Sequence, residues 1–162
     1  MKTKPYNSSK NAGFTMIEVL VAMVILAIGL LGVATMQATG LRNNHSAYLR
    51  TQASLLGYDM TDRMRANNTG VEAGAYNSIS GIPSDPGCIT TGCTPAQMAQ
   101  YDAFAWNTQL AAMLPSGQGT VAVVASIATI TVMWDDDRSG ATGTGCSGGS
   151  SDLKCLQMAI RI

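Results

Sequence analysis

The sequence predicts an α+β protein in which a long N-terminal helix, half transmembrane and half amphipathic, packs on a small head. The head is expected to hold one short helix and a three- to four-stranded antiparallel sheet. Three observations predict this fold: an apolar run of 23 residues at positions 14–36, a helical periodicity that continues to residue 67, and strand-like runs near the C-terminus. The apolar run is long enough to cross a bilayer as a helix, because about 20 such residues span the hydrocarbon core.

The segment before the apolar run is short and basic. Residues 1–13 contain Lys2, Lys4 and Lys10 and have no apolar region of their own, so the only apolar core follows Gly13. A secretory signal carries its apolar core ahead of the cleavage site and loses it on cleavage. Processing at Gly13 would instead keep the apolar helix on the mature protein. The basic residues ahead of the span predict a cytoplasmic N-terminus by the positive-inside rule.

Charge is spread unevenly along the 162 residues. The whole chain is neutral, but after Gly13 seven Lys and Arg residues face ten Asp and Glu residues, which leaves three net negative charges. A nucleic-acid-binding protein would show a basic patch or stripe instead. Within residues 14–36 the only charge is that of Glu18. Because a carboxylate is costly inside a membrane, we expect Glu18 to mark a functional site.

The second half of the long helix, which is predicted to span residues 14–67, is amphipathic. Apolar residues recur every three or four positions on one helical face, at Leu49, Ala53, Leu56, Met60 and Met64. Asp59 with Arg63 and Asp62 with Arg65 have the spacing of ion pairs on an exposed helical surface. Residues 67–70 form a stop signal. The apolar face needs a cover, and we expect the rest of the chain to supply it.

A short helix is predicted after an irregular stretch. Residues 68–93 are rich in Gly, Ser, Asn and Pro and indicate a loop. Thr94 then suits a helix cap, Pro95 suits the first helical position, and Gln97 completes a capping box. The buried face of this helix is expected to consist of Ala99, Ala103, Trp106, Leu110 and Met113. Trp106 is interpreted as a core residue, since it lies in this apolar stripe.

Three strands are predicted in the last third of the chain, at residues 120–124, 127–134 and 153–162. The first two runs are rich in β-branched residues, and the last two alternate in polarity. One face of the second strand is expected to carry Ala128, Ile130, Val132 and Trp134, and one face of the last strand Leu156, Met158, Ile160 and Ile162. This side of the sheet is expected to cover the apolar stripe of the long helix.

All four cysteines follow the apolar run, at Cys88, Cys93, Cys146 and Cys155. With the C-terminal part outside the inner membrane, they lie in an oxidising compartment where disulfides persist. Three pairings are possible. We favour Cys88 with Cys93 and Cys146 with Cys155, because each pair brackets a short Gly-containing loop. A zinc site is the alternative, but neither spacing matches a zinc motif and the only histidine, His45, is far away.

No group of residues predicts an enzyme. The sequence holds no phosphate-binding Gly motif and no Ser/His/Asp set of plausible context, and we expect no cofactor. His45 is interpreted as a solvated helix residue. Asp135, Asp136 and Asp137, with Asp152 nearby, offer the oxygen ligands that Ca²⁺ prefers. The run lacks the EF-hand spacing, however, and a turn after a strand is the favoured interpretation.

Residues 13–22, with the sequence Gly-Phe-Thr-Met-Ile-Glu-Val-Leu-Val-Ala, resemble the prepilin signature of type IV pilins and pseudopilins. The resemblance implies a type IV pilin-like fold. It also implies cleavage after Gly13 by a dedicated prepilin peptidase, which methylates the new N-terminal residue, Phe14. Glu18, the fifth residue of the mature chain, would then act in subunit assembly. The Pro that many major pilins carry within the anchor is absent here.

Three further segments, at residues 28–32, 59–67 and 132–136, resemble the PilV kind of minor pilin, the type IV pilus modification protein family. This resemblance implies a protein that helps to prime or cap the pilus. The implied partners are prepilin peptidase, other minor and major pilins, the inner-membrane assembly platform and the lipid bilayer, with no nucleic acid. A periplasmic head, residues 68–162, would follow the transmembrane anchor, and the protein would later reach the pilus. A type II secretion pseudopilin and a single-span membrane protein with a periplasmic binding head remain as alternatives.

Overall fold

The computed structural model describes residues 13–162. The predicted basic leader therefore lies, apart from Gly13, outside the described residues. The helices are α1 (Met16–Ala66), α2 (Asn68–Glu72), α3 (Cys88–Thr91) and α4 (Pro95–Met113), and the strands are β1 (Ser78–Ser80), β2 (Gln118–Val124), β3 (Ile127–Trp134) and β4 (Lys154–Arg161). The chain divides into two compact units, one ending at Asn43 and one comprising Asn44–Ile162. We call the second one the head unit.

The four strands form one antiparallel sheet in the order β1-β2-β3-β4. A two-residue turn, Ala125 and Ser126, joins β2 to β3, and both residues have positive φ angles of 47° and 66°. Two such residues make a type I′ turn, whose twist matches that of the flanking strands. The sheet confirms the predicted strand number and pairing.

The core of the head unit lies between one face of the sheet and two helices. α1 contributes the predicted stripe of Leu49, Ala53, Leu56, Met60 and Met64, all buried. The sheet contributes the predicted β3 face of Ala128, Ile130, Val132 and Trp134, with Leu156 and Ile160 of β4 packed at its margin. Alternation along a strand sends every second side chain to the same face, so the local pattern was enough to predict this surface.

Helix α4 begins as its sequence indicates. The Thr94 side chain accepts the Gln97 backbone N–H, and the Gln97 side chain accepts the Thr94 backbone N–H, which makes a complete capping box. Trp106 is fully buried, and its indole Nε1–H donates to the Leu56 carbonyl at 2.8 Å. This bond satisfies the polar atom of a core side chain and ties α4 to α1.

Two predictions for the head were wrong in part. Residues 68–93 are not irregular throughout, because α2, β1 and α3 lie within them; each has at most five residues, too few for a clear periodic pattern. Met113 does not lie on the buried face of α4 and is 43% exposed. Leu114 is buried instead, because α4 ends at Met113 and the chain turns extended at Leu114, which redirects its side chain.

Candidate functional site

The start of α1 is organised by Thr15. Its carbonyl accepts the N–H groups of Glu18 and Val19 at 3.1 and 3.3 Å, and its hydroxyl oxygen also accepts the Glu18 N–H at 3.3 Å. Thr15 is therefore the N-cap, and Phe14 lies just outside the helix. This role of Thr15 was not predicted from the sequence, although a threonine three residues before a glutamate is a capping-box signature.

Glu18 lies in the first turn of α1 and is exposed. The unsatisfied N–H groups at a helix start carry partial positive charge, so a carboxylate is favourable there. Phe14, Glu18 and Ala22 are spaced four residues apart and line one shallow surface groove together with Val19, Met23 and Leu26. The carboxylate thus stands beside the Phe14 position on an otherwise apolar surface.

Among residues 13–43, no other segment covers the apolar residues 14–36. Their large apolar side chains are exposed by between 46% (Val19) and 87% (Met16). By length and composition, α1 contains one segment that qualifies as a membrane span, and residues 16–36 rise by about 30 Å, the thickness of a bilayer core. α1 is unbroken here, and a side chain at Gly29 or Gly32 would meet no atom within 4 Å. Such a surface requires lipid or other apolar helices around it.

The cysteines form two disulfides in the head unit. Cys88 is bonded to Cys93 with a Cα–Cα distance of 5.1 Å, and Cys146 to Cys155 with 5.6 Å. The second bond lies beside a small apolar cluster of Met133, Ala141 and Leu153 on the sheet face opposite α1. All four sulfur atoms are therefore occupied by disulfide bonds rather than by a metal ion.

The acidic residues after β3 are engaged by the protein itself. Asp135 accepts the backbone N–H groups of Ser139 and Gly140 at 3.1 and 2.8 Å. Burial raises the pKa of Asp135, but these hydrogen bonds outweigh it and lower the pKa below its ordinary value. Asp136 accepts the Ser46 hydroxyl at 2.6 Å and the Trp134 indole N–H at 2.9 Å, which ties the end of β3 to α1.

Asp152 plays a similar role in the following loop. Its carboxylate accepts the Ser147 backbone N–H at 2.9 Å, and hydrogen bonds from the Ser147 hydroxyl and N–H lower its pKa. Within residues 13–162 no three His, Cys, Asp or Glu side chains converge where they could hold a metal ion. His45 is exposed, as a solvated helix residue would be.

A buried polar cluster links α1, the segment before β1, and α4. The Tyr76 hydroxyl donates to Asp102 at 2.5 Å, and Arg63 reaches the other Asp102 oxygen at 3.4 Å. Arg63 also pairs with Asp59 at 2.8 Å, as the helical spacing predicted. Burial, followed by the bond to Asp102, raises the pKa of Tyr76 well above its ordinary value. The cluster joins three separate elements and was not predicted, because its members are far apart in the chain.

These features together define a class of protein: a capped apolar helix with one carboxylate in its first turn, continued into an α+β head with a four-stranded antiparallel sheet. This is the type IV pilin fold. Residues 8–34 match the family described as the prokaryotic N-terminal methylation motif, and residues 35–104 match the family described as type IV pilin Tt1218. The chain is therefore similar to an N-terminal methylation motif over residues 8–34 and to a type IV pilin over residues 35–104. No curated protein and no solved structure matches it.

Proposed function

We propose that this chain is a minor pilin, made as a prepilin and used to prime and assemble a type IV pilus. Residues 1–13 act as the leader, residues 14–67 as the N-terminal helix with its anchor at 14–36, and residues 68–162 as the periplasmic part of the head. The protein resides in the inner membrane with its N-terminus cytoplasmic until it enters or caps the filament. It acts as a structural subunit and not as an enzyme.

The position of the proposed cleavage site relative to the helix cap supports this function. The bond after Gly13 lies outside α1, and Gly13 has open space around it. Thr15, on the mature side of this bond, caps the helix. Prepilin peptidase can thus remove the leader and methylate Phe14 without disturbing the helix.

Glu18 is the residue that we assign to subunit assembly. Cleavage leaves a positively charged amine on Phe14, at the end of an apolar helix. In a medium of low dielectric constant an unpaired carboxylate is unfavourable, and removing one partner of a buried ion pair is strongly destabilising. Pairing between Glu18 and the Phe14 amine of a neighbouring subunit would satisfy both charges and set the axial register of the two helices.

The resemblance of residues 59–67 and 132–136 to the PilV kind of minor pilin favours that subtype, and both segments make structural contacts in the head unit. The segment 59–67, which resembles that family, supplies Arg63 to the buried cluster and Asn67 to the cap of α2. The segment 132–136 supplies Asp136, which connects β3 to α1. These two PilV-like segments therefore hold the head unit together. Other minor and major pilins and the assembly platform are the proposed partners.

The test uses the protein expressed in its own host. Mass spectrometry should find a mature chain that starts at methylated Phe14, and Glu18→Ala should leave processing intact while strongly reducing recovery of the protein in sheared pili. Glu72→Ala, which removes an exposed acid of the head unit, should be recovered normally. An intact Met1 would favour the single-span binding protein, and loss of secretion with normal pili on deletion would favour the type II secretion pseudopilin. Normal incorporation of Glu18→Ala would refute the charge-pairing role.

A further inference from the structure

Strand β4 leaves one long edge of the sheet open. It pairs with β3 over all eight of its residues, and within residues 13–162 no strand lies on its other side. Gln157, Ala159 and Arg161 are exposed along it. A row of unpaired N–H and C=O groups is a ready template for a further strand.

The hydrogen-bond alternation identifies which groups are free. The Ile162 N–H donates to the carbonyl of Ser126, the residue directly opposite in the β3–β4 register. In an antiparallel pair such directly bonded positions alternate with unbonded ones. The even-numbered residues of β4 therefore bond to β3, whereas the N–H and C=O groups of Gln157, Ala159 and Arg161 point outward.

Of the features by which proteins usually protect an exposed strand, this edge has only a charged residue near each end, Lys154 and Arg161. Natural edges are short, bulged, interrupted by proline or given an inward-pointing charge. β4 has eight residues, an unbroken register and no proline. Its inward side chains, Leu156, Met158 and Ile160, are apolar and only half-buried. The edge therefore presents unpaired backbone N–H and C=O groups beside a row of partly exposed apolar side chains.

We propose that β4 is a self-recognition edge, at which two copies of this chain join their sheets in antiparallel fashion about a two-fold axis at Ala159. In this register Ala159 faces itself, and Gln157 faces Arg161 of the second copy. Each of these pairs exchanges two backbone hydrogen bonds. The strand is its own complement, as a two-fold interface requires.

The side chains agree with this register on both faces. On the outer face the smallest residue, Ala159, lies on the axis, and the guanidinium of Arg161 meets the amide of Gln157 rather than another charge. On the inner face Met158 lies opposite Ile160, and Leu156 opposite Ile162, so four half-exposed apolar side chains per copy gain apolar neighbours. No like charges stand directly opposite, an arrangement that would destabilise a cross-strand pair.

The geometry of the head unit determines how the α1 helices of the two copies are oriented relative to each other. Ser46 of α1 contacts Asp136 beyond the end of β3, and Gly57 lies against Val132 and Met158, so α1 runs along the sheet in the same direction as β4. The two-fold axis reverses β4 and therefore reverses α1 in the second copy. Subunits of one filament share one orientation, so the pairing joins heads of filaments that run in opposite directions. This last step alone rests on the proposed function.

The test uses the full chain in detergent micelles, labelled with a donor or an acceptor fluorophore. Energy transfer should be seen for the wild type and should fall by up to about fivefold for Ala159→Lys alone and for Ala159→Glu alone, because each variant sets like charges opposite each other on the axis. A mixture of the Lys and Glu variants should restore it. The proposal would be overturned if energy transfer were equal in the wild type, each single variant and their mixture, because this would indicate association through the anchors. It would also be overturned if the wild type showed no transfer.

Two controls separate this effect from misfolding and from added charge. Ser78→Lys and Ser78→Glu change an exposed residue of β1 at the opposite edge and should leave transfer unchanged. Ala159→Pro removes an outward-facing N–H that β3 does not use, so the head should fold with an unchanged near-ultraviolet circular dichroism spectrum while transfer is lost. A Pro variant that folds and still associates would also overturn the proposal.

Discussion

Replacement of Tyr76 by phenylalanine tests how much the buried polar cluster contributes to the free energy of unfolding. The hydroxyl of Tyr76 donates to the Asp102 carboxylate and accepts the side-chain N–H of Asn67 at 3.0 Å. Tyr76→Phe keeps the ring, which is fully buried, and removes both bonds. Asp102 then retains Arg63 at 3.4 Å, and Asn67 retains the Pro95 carbonyl at 2.8 Å.

The expected loss is about 2 kcal/mol in the free energy of unfolding of the head unit. A hydrogen bond to a charged group contributes roughly 1.5–3 kcal/mol, and a neutral one roughly 0.5–1.5 kcal/mol. The Asp102 side chain is only 8% exposed, so water does not readily replace the lost donor. Loss of the second bond, to Asn67, matters less, because that amide keeps another acceptor.

A double-mutant cycle with Asp102→Asn isolates the contribution of the Asp102 charge to the hydrogen bond from Tyr76. When the tyrosine change is made in the Asp102→Asn variant, it removes a neutral bond, so it should cost about 1 kcal/mol less than in the wild type. Asp102→Asn alone should cost about 2 kcal/mol, below the roughly 3–5 kcal/mol of a fully buried broken pair. The reason is that Arg63 is 26% exposed and keeps its bond to Asp59.

The assay is urea unfolding of the full chain in detergent, followed by near-ultraviolet circular dichroism, since both tryptophans lie in the head unit. Tyr58→Phe is the matched control: this tyrosine is 62% exposed on α1, and its change should stay within about 0.5 kcal/mol. A Tyr76→Phe effect as small as that of the control would refute the reasoning. Strict additivity in the cycle would show that the Asp102 charge plays no part.

Two further predictions concern pH and packing. The pKa of Tyr76 is raised above the ordinary tyrosine value of 10.0, so its contribution to the free energy of unfolding is complete below about pH 10 and is lost as the pH rises further. In urea titrations at increasing pH, the wild type should therefore lose more stability than Tyr76→Phe above about pH 10. Parallel curves of stability against pH for the two proteins would contradict this. Gly119→Ala places a methyl group against the Trp106 ring and Leu110 and should lower the free energy of unfolding by about 2 kcal/mol or more. The control is Gly40→Ala, which has open space around it and should leave the unfolding of the head unit unchanged. Equal urea midpoints for the two variants would show that the core accommodates the methyl group.

Local patterns were sufficient for most of the fold. The apolar run and the stripe from Leu49 to Met64 predicted α1, since helical side chains three and four apart share a face. The capping box at Thr94 predicted the start of α4, because the bonds involved join residues only three apart. The same locality makes Gly13, Phe14 and Glu18 readable as one signature. The short β1 escaped because three residues carry too little pattern, and it is a strand only through its bonds to β2.

The amino-acid pattern alone was thus enough to predict the apolar run with its single carboxylate and most of the buried faces of α1, α4 and β3. The folded arrangement was needed to show how the head unit is held together. Tyr76 and Asp102 are 26 residues apart, and Ser46 and Asp136 are 90 apart. Only the folded sheet shows that, among residues 13–162, no strand pairs with the outer edge of β4. The physical reason is that helical periodicity, strand alternation and caps act between near neighbours, whereas buried polar pairs and sheet order depend on which distant segments meet.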